Sequence, residues 1–394
     1  MGNRRITLAA LMAFSLIVLW LSGPFEDFEK KSADGPLFTP SPGLTESGSQ
    51  TPPVATGGSP LEEGAFRYEK VSLNTADGPI VMHILQVDMK NLHVGVKPVS
   101  SHRTLFGYEY LSVMAGSVDA LAAVNSGFSY PNGLPGGMFY SNEILKIPAS
   151  GRFPVLFLME NQAVITDAEQ NISLKSGESV LQPVFFNRYS NDGGLYVFTP
   201  VYGSSDRIEK PHLCAIVKNG KVFELRQSET AQEIPSDGFL VAALGADAEK
   251  KLQSFIEPGS LLEYKTELKT ATPLQDEYLS AYECGSRLIK DGVDVCPDYD
   301  PWAAGLLTRE PRTAVGIKSD GTLLFAVIDG RGKEVSIGAT GPELVRLLLE
   351  RDVYQAALLD GGASSEMIIG GNIVNSPSAG RERLLSSCFV VFKR

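Results

Sequence analysis

From Gln355 the chain reads Gln-Ala-Ala-Leu-Leu-Asp360-Gly361-Gly362-Ala363-Ser364-Ser365-Glu366, and further on Asn375-Ser-Pro-Ser378-Ala-Gly-Arg381-Glu-Arg383. The apolar run Ala356 to Leu359 predicts a buried strand that delivers the Asp360 carboxylate into a glycine-tight, hydroxyl-rich turn. Glycines let a ligand or another backbone come close to that carboxylate, as catalytic turns require. An ordinary strand-ending turn reads the same way, so the chemistry must be sought in what surrounds it.

Charge is also delivered at other strand ends in the last third of the chain. Arg312 opens the apolar stretch Thr313 to Ile317, and the apolar Leu323 to Ile328 ends in Asp329-Gly-Arg331. Glu343 stands three residues after Thr340 at the head of a helical pattern, which makes it a capping-box residue first and a site residue second. Of four histidines, His83 and His93 fall inside expected strands, and there is no Gly-x-Ser-x-Gly elbow. Ser-His-Asp or Cys-His chemistry is therefore poorly supported, and carboxylates with arginines are left to carry any catalysis.

The elements that must position these residues are mainly strands. Ile80 to Val87, Leu92 to Val99 and Lys221 to Arg226 read as alternating strands. Helical spacing is confined to Tyr110 to Val118, Ala246 to Phe255 and Pro342 to Glu350, the last with Leu344, Leu347 and Leu348 on one face. The class expected is α+β, with mixed β-sheets and few helices. Residues 150 to 275, where motifs thin out, are a candidate lobe over the site.

With 46 acidic and 35 basic residues the net charge is -11. That excludes a general nucleic-acid binder, since phosphate neutralisation needs an excess of Lys and Arg. Residues 1–23 hold Arg4 and Arg5 before an uncharged run from Ile6 to Ser22, the pattern of a membrane anchor or a secretory leader. The expected body is thus membrane-anchored and extracytoplasmic, or secreted if that segment is cleaved. Residues 24–64 form a linker: from Ser32 to Gly64, 21 of 33 residues are Pro, Gly, Ser or Thr. The functional domain is 65–394. Its four cysteines allow disulfides in an exported chain; Cys284 with Cys296 is the expected bridge, and Cys214 with Cys388 the next. No Cys-x-x-Cys pair marks these thiols as a zinc site.

The motifs, taken in order, resemble the phosphodiester glycosidase family. They are Asn125-Ser-Gly-Phe128, Gly285-Ser-Arg-Leu-Ile-Lys-Asp-Gly292, Pro311-Arg312-Thr-Ala-Val-Gly316, Asp329-Gly-Arg331, Glu343-Leu, Leu359-Asp360-Gly-Gly-Ala-Ser364-Ser365, Val374-Asn375-Ser-Pro-Ser378 and Arg383. The resemblance covers roughly residues 80 to 394. It implies hydrolysis of a sugar joined through its anomeric carbon to a phosphodiester, with a sugar-phosphate or glycan phosphodiester as partner and no cofactor. Asp360, with Asp329 or Glu343 second, would stabilise an oxocarbenium-like transition state or activate water. Arg312 and Arg383 would hold the departing phosphate bidentately. Asn125, Gly361, Gly362, Ser364, Ser365, Asn375 and Ser378 would surround the substrate.

This chain departs from the family pattern at Ser126, Glu310, Ala363 and Glu366. Ala363 fits only if its φ is negative, and Glu366 adds a carboxylate that raises the pKa of Asp360 if it faces it. Two other activities fit the residues: a non-catalytic envelope factor that binds anionic glycan or exopolysaccharide, and a metal-dependent phosphodiesterase with a divalent cation on Asp329, Asp360 and Glu366.

Overall fold

The computed structural model describes residues 66–182 and 185–394. The anchor or leader expected at 1–23 and the linker expected at 24–64 lie outside the described residues. Among the described residues, strands dominate and no helix is long and apolar enough to cross a membrane.

The central element is a seven-stranded antiparallel sheet. Its order is Phe66–Thr75, Gly78–Val87, Leu323–Ile328, Arg312–Lys318, Val353–Leu359, Arg287–Lys290 and Val293–Asp294. Ile80 to Val87 is expected to alternate, yet Ile80 to Leu85 is buried at every position, as is the apolar strand Leu323 to Ile328. The reason is that both faces are covered, so neither has to be polar. One face sends Leu85, Val315, Phe325, Val327, Ala357 and Leu359 into a core shared with the other large sheets. The opposite face sends Ile84, Ala314, Leu324, Ala326, Ala356 and Leu358 against Leu344, Leu347 and Leu348. At about 1.5–3 kcal/mol for each fully buried aliphatic side chain, these two cores fix the register of the sheet.

Among the described residues three α-helices each cover the outer side of one sheet. Helix α1 (Leu111–Gly116), shorter than the expected 110–118, packs Leu111 and Met114 on the sheet containing Ala122–Asn125 and Ser387–Lys393. Helix α2 (Ala246–Phe255), bounded as the periodicity requires, covers the five-stranded sheet built around Gly238–Leu244 and His212–Lys218. Helix α3 (Gly341–Leu349) covers the central sheet. The fourth large sheet runs from Ser179–Leu181 through Ala163–Ser176, Ser150–Leu158 and Ser280–Glu283 to Phe139–Ser141 and Ile144–Ile147. Residues 150 to 275 thus supply strands to two sheets that share the central core, and everything from residue 66 onward belongs to one compact unit.

The expected Cys284–Cys296 bridge is not formed, and all four cysteines are free thiols. Cys284 belongs to the shared core, whereas Cys296 packs with the core under α3 on the other face of the central sheet. Cys214 and Cys388 are likewise separated, one in the shared core and the other under α1.

Candidate active site

Two neighbouring sheets meet where the strands Val353–Leu359 and Ala122–Asn125 end, and the join is a cluster of backbone and side-chain bonds. The amide of Asp360 donates to the Ser126 carbonyl at 3.1 Å, and Asn125 Nδ2 donates to the Asp360 carbonyl at 2.7 Å. Thr313 Oγ1 lies 3.0 Å from Asn125 Oδ1 and 3.1 Å from Ser365 Oγ. Asn125 is fully enclosed by these partners, so it sets the position of the Asp360 turn as much as it faces a ligand.

Above this join lies a cavity of about 300 Å³ lined by Asn125, Phe128, Trp302, Asp360, Ser364 and Arg383, among others. That is the small end of the range for ligand sites. Burial pushes the Asp360 carboxyl above its ordinary value, against the opposing pull of the Ser364 hydroxyl, the Arg383 charge and the Gly361 amide. One wall is aromatic: Phe128 and Trp302 are stacked at 5.8 Å, and Tyr130 meets Trp302 edge-on at 5.3 Å. Buried Asp300 presents Trp302 by accepting from the amides of Trp302 and Ala303 at 2.7 and 2.8 Å. In the cavity lining Ser126 and Ser387, with Tyr282 behind them, form a hydroxyl cluster, with Ser126 Oγ 2.6 Å from Ser387 Oγ and 3.2 Å from Tyr282 Oη.

Of the expected site residues, Asn125, Asp360, Ser364 and Arg383 converge on this cavity. The rest do not line it. Arg312 is buried on the α3 side of the sheet, its guanidinium donating to the carbonyls of Ala339 (3.1 Å) and Thr308 (2.8 Å). The pleat explains this: adjacent strand residues face opposite ways, and it is Thr313 that points toward Asn125. Asp329 is buried between His83 Nε2 at 3.1 Å, Asn375 Nδ2 at 3.1 Å and the Ser376 amide at 2.9 Å. Asn375 also donates to the Ser365 carbonyl at 2.9 Å and accepts from the Met367 amide at 2.9 Å, so it braces the loop rather than reaching into the cavity.

Glu343 forms the expected capping box with Thr340 and a two-pronged pair with Arg309 at 2.6 Å. Burial acts to raise its carboxyl, but the bonds to Thr340 and Arg309 outweigh that and hold it below the ordinary value. Gly361 and Gly362 serve the turn's geometry. A Cβ on Gly361 would meet the Pro311 carbonyl at 2.9 Å, and Gly362 alone in the turn takes a left-handed φ of +60°. Ala363 has a negative φ and fits. Ser365 is held by Thr313, and the buried Ser378 hydroxyl is without a partner away from the cavity lining.

The other departures are absorbed locally. Ser126 joins the hydroxyl cluster, and Glu310 pairs with Arg331 at 2.7 Å. Glu366 is fully buried; its Oε1 accepts from the Arg383 amide at 2.6 Å, and its Oε2 has no partner. Next along the loop, Glu382 accepts from the Ser112 amide and hydroxyl, both at 2.8 Å, at the start of α1. Two consecutive residues are thus anchored, one through its side chain and the other through its backbone, which sets Arg383 at the mouth of the cavity. Among the described residues, Asp329, Asp360 and Glu366 do not form a metal-binding group.

Sequence reasoning did not assign Trp302, Phe128 or the Ser386–Ser387 wall. Trp302 carried a usable signal: it is one of only two tryptophans, set in a polar stretch after Asp298-Tyr-Asp-Pro rather than in an apolar run.

Residues 212–392 match the model of the phosphodiester glycosidase family. Over 104 residues the chain is 36% identical to the prophage-derived uncharacterized protein YomE of Bacillus subtilis, covering 26% of this chain and 16% of that one. Over 179 residues it is 24% identical to the N-acetylglucosamine-1-phosphodiester alpha-N-acetylglucosaminidase of Mus musculus, covering 43% of this chain and 34% of the mouse protein. The chain therefore spans about a third or less of these relatives' lengths. A crystal structure of a hypothetical protein from Synechocystis shares the fold, with a TM-score of 0.73 at 19% identity over 84% of this chain and 62% of that one.

Proposed function

We propose that this chain, whose residues 212–392 match the phosphodiester glycosidase family model, hydrolyses a sugar 1-phosphodiester at the bond between the anomeric carbon and oxygen. The observation that carries the reading is the Asp360 carboxylate, pushed up by burial, in one small cavity with an aromatic wall and an arginine at its mouth.

The chemistry follows from those charges. As the bond breaks, its electron pair leaves with the phosphate oxygen and positive charge grows on the sugar ring. An ionised Asp360 is under-compensated in its site, so a cation forming beside it is stabilised more strongly than the neutral ground state. Arg383 is placed to receive the departing phosphate monoester, and water supplies hydroxide to the anomeric carbon and a proton to the products. The Phe128–Trp302 wall offers a flat apolar surface for a sugar ring, and Ser364, Ser386 and Ser387 offer partners for its hydroxyls. The apolar run from Ile6 to Ser22 supports placing the reaction outside the membrane.

The test is hydrolysis of a panel of hexose-1-phosphodiesters in oxygen-18 water by the full-length chain. Label in the released sugar, with the rate cut roughly 100-fold or more in a folded Asp360→Asn variant, is the expected result. Label in the phosphate, or an undiminished rate in the variant, would falsify the mechanism.

A further inference from the structure

Away from the cavity, three side chains of different chemistry meet inside the protein. His212 and Cys214 are two residues apart on the strand His212–Lys218 and so project to the same face, where Asp206 reaches them from the preceding loop. All three are fully buried. Asp206 Oδ1 accepts from the amides of Ile208 at 3.0 Å and Gln232 at 2.9 Å. Its Oδ2 is thereby turned toward His212 Nε2 at 3.1 Å and Cys214 Sγ at 4.0 Å.

The protons decide what this cluster is for. His212 Nδ1 lies 2.7 Å from the Lys210 carbonyl, which can only accept, so Nδ1 carries a hydrogen. A neutral His212 then turns a lone pair from Nε2 at a carboxylate oxygen 3.1 Å away. Two acceptors at that distance in a dry interior repel, so something positive belongs between them: a second proton, or a metal ion. The sulfur favours the metal. An imidazolium with Asp206 leaves Cys214 idle, whereas the nitrogen, oxygen and sulfur atoms all lie within 4.8 Å of one another, so that a movement of about 1 Å brings all three onto one tetrahedral ion. A histidine whose other ring nitrogen donates to a backbone carbonyl is also the usual arrangement around zinc.

We propose that Asp206, His212 and Cys214 form a binding site for a divalent cation of the zinc class, distinct from the cavity. Binding releases the Cys214 thiol proton, and thiolate plus carboxylate then balance the two charges of the ion. The site ties the loop that bears Asp206 to the sheet. Arg207, next in that loop, holds a left-handed φ of 61° and lies 3.9 Å over the Phe106 ring, two residues from Tyr108 in the cavity wall. The ion would therefore steady one side of the cavity from behind.

The experiment is titration of the chelator-treated full-length chain with Co²⁺, followed by absorption, with thermal unfolding measured in Zn²⁺ and in chelator. One equivalent bound with a thiolate-to-cobalt charge-transfer band, displaced by Zn²⁺, is expected, together with a higher Tm in Zn²⁺. Cys214→Ser should abolish the band. The titration of the unaltered chain decides the matter even where that variant fails to fold. No uptake, or uptake without the thiolate band, overturns the proposal, as does NMR detection of His212 protonated on both nitrogens with Zn²⁺ present.

Discussion

Replacing Glu366 by Gln should make the protein more stable at alkaline pH and leave it nearly unchanged in acid. Glu366 is fully buried, with one oxygen on the Arg383 amide and the other without a partner. Burial raises its carboxyl from 4.5 to about 7, with neighbouring Glu382 adding to the rise and the bond and charge of Arg383 opposing it. Below 4.5 the group is protonated in both folded and unfolded chains and has no effect on stability. Between 4.5 and about 7 the folded chain keeps a proton that the unfolded chain has released, so stability falls as pH rises. Above about 7 the full cost is present, about 3 kcal/mol for a shift of that size.

Gln keeps a carbonyl oxygen for the Arg383 amide but has no charge to desolvate. Urea unfolding of both proteins across this range isolates the residue, because every other titrating group, Asp360 included, is common to both. The variant should gain steadily over the parent from about pH 4.5 and level off past pH 7, with a gain of up to about 3 kcal/mol. Stability curves for the two proteins that run parallel with pH would refute the reasoning. A gain in the opposite direction would mean that Oε2 has a partner after all.

The two arginines should separate cleanly. Arg383→Gln should lower kcat/KM for a sugar phosphodiester by roughly 10- to 100-fold with little change in Tm, whereas Arg312→Gln should cost about 2–4 kcal/mol of stability by stripping the Ala339 and Thr308 carbonyls of their charged donor. Reversed effects in paired kinetics and melting curves would return Arg312 to the site. Trp302→Ala removes the ring stacked on Phe128 and should raise KM about tenfold at nearly constant kcat, as steady-state kinetics would show. Gly362→Ala forces an L side chain into φ +60° near the Arg331 guanidinium and should destabilise by about 1–2 kcal/mol in chemical unfolding. An unchanged midpoint would mean that the turn can adopt another conformation.

The capping box at Thr340–Glu343, the extent of α2 and the strand leading to Asp360 were legible because each depends on neighbours in sequence. The side from which a strand residue acts was not. Arg312 and Thr313 are adjacent, and nothing local says which faces the other sheet; that is settled by α3 covering one side and Asn125 lying on the other. The same holds for the cysteines, whose spacing permits a bridge that the central sheet prevents by standing between Cys284 and Cys296. Trp302 was missed because its place depends on Asp300 accepting two amides, a contact that leaves no periodic trace.

Asp329 and Asp360 show how one sheet gives two like residues unlike roles. Each ends a strand beside Arg312–Lys318, and each is largely withdrawn from water. Asp329 has a histidine, an asparagine and a backbone amide on its two oxygens, a set that satisfies a carboxylate and leaves it nothing to gain from a ligand. Asp360 has a hydroxyl, an amide and a guanidinium acting on it, yet burial still prevails and its charge remains under-compensated. Where positive charge must appear during a reaction, the carboxylate that gains most from it is the one the fold has left short of partners. That asymmetry, rather than the Asp-Gly motif common to both positions, is why we propose the chemistry for Asp360 and the scaffolding for Asp329.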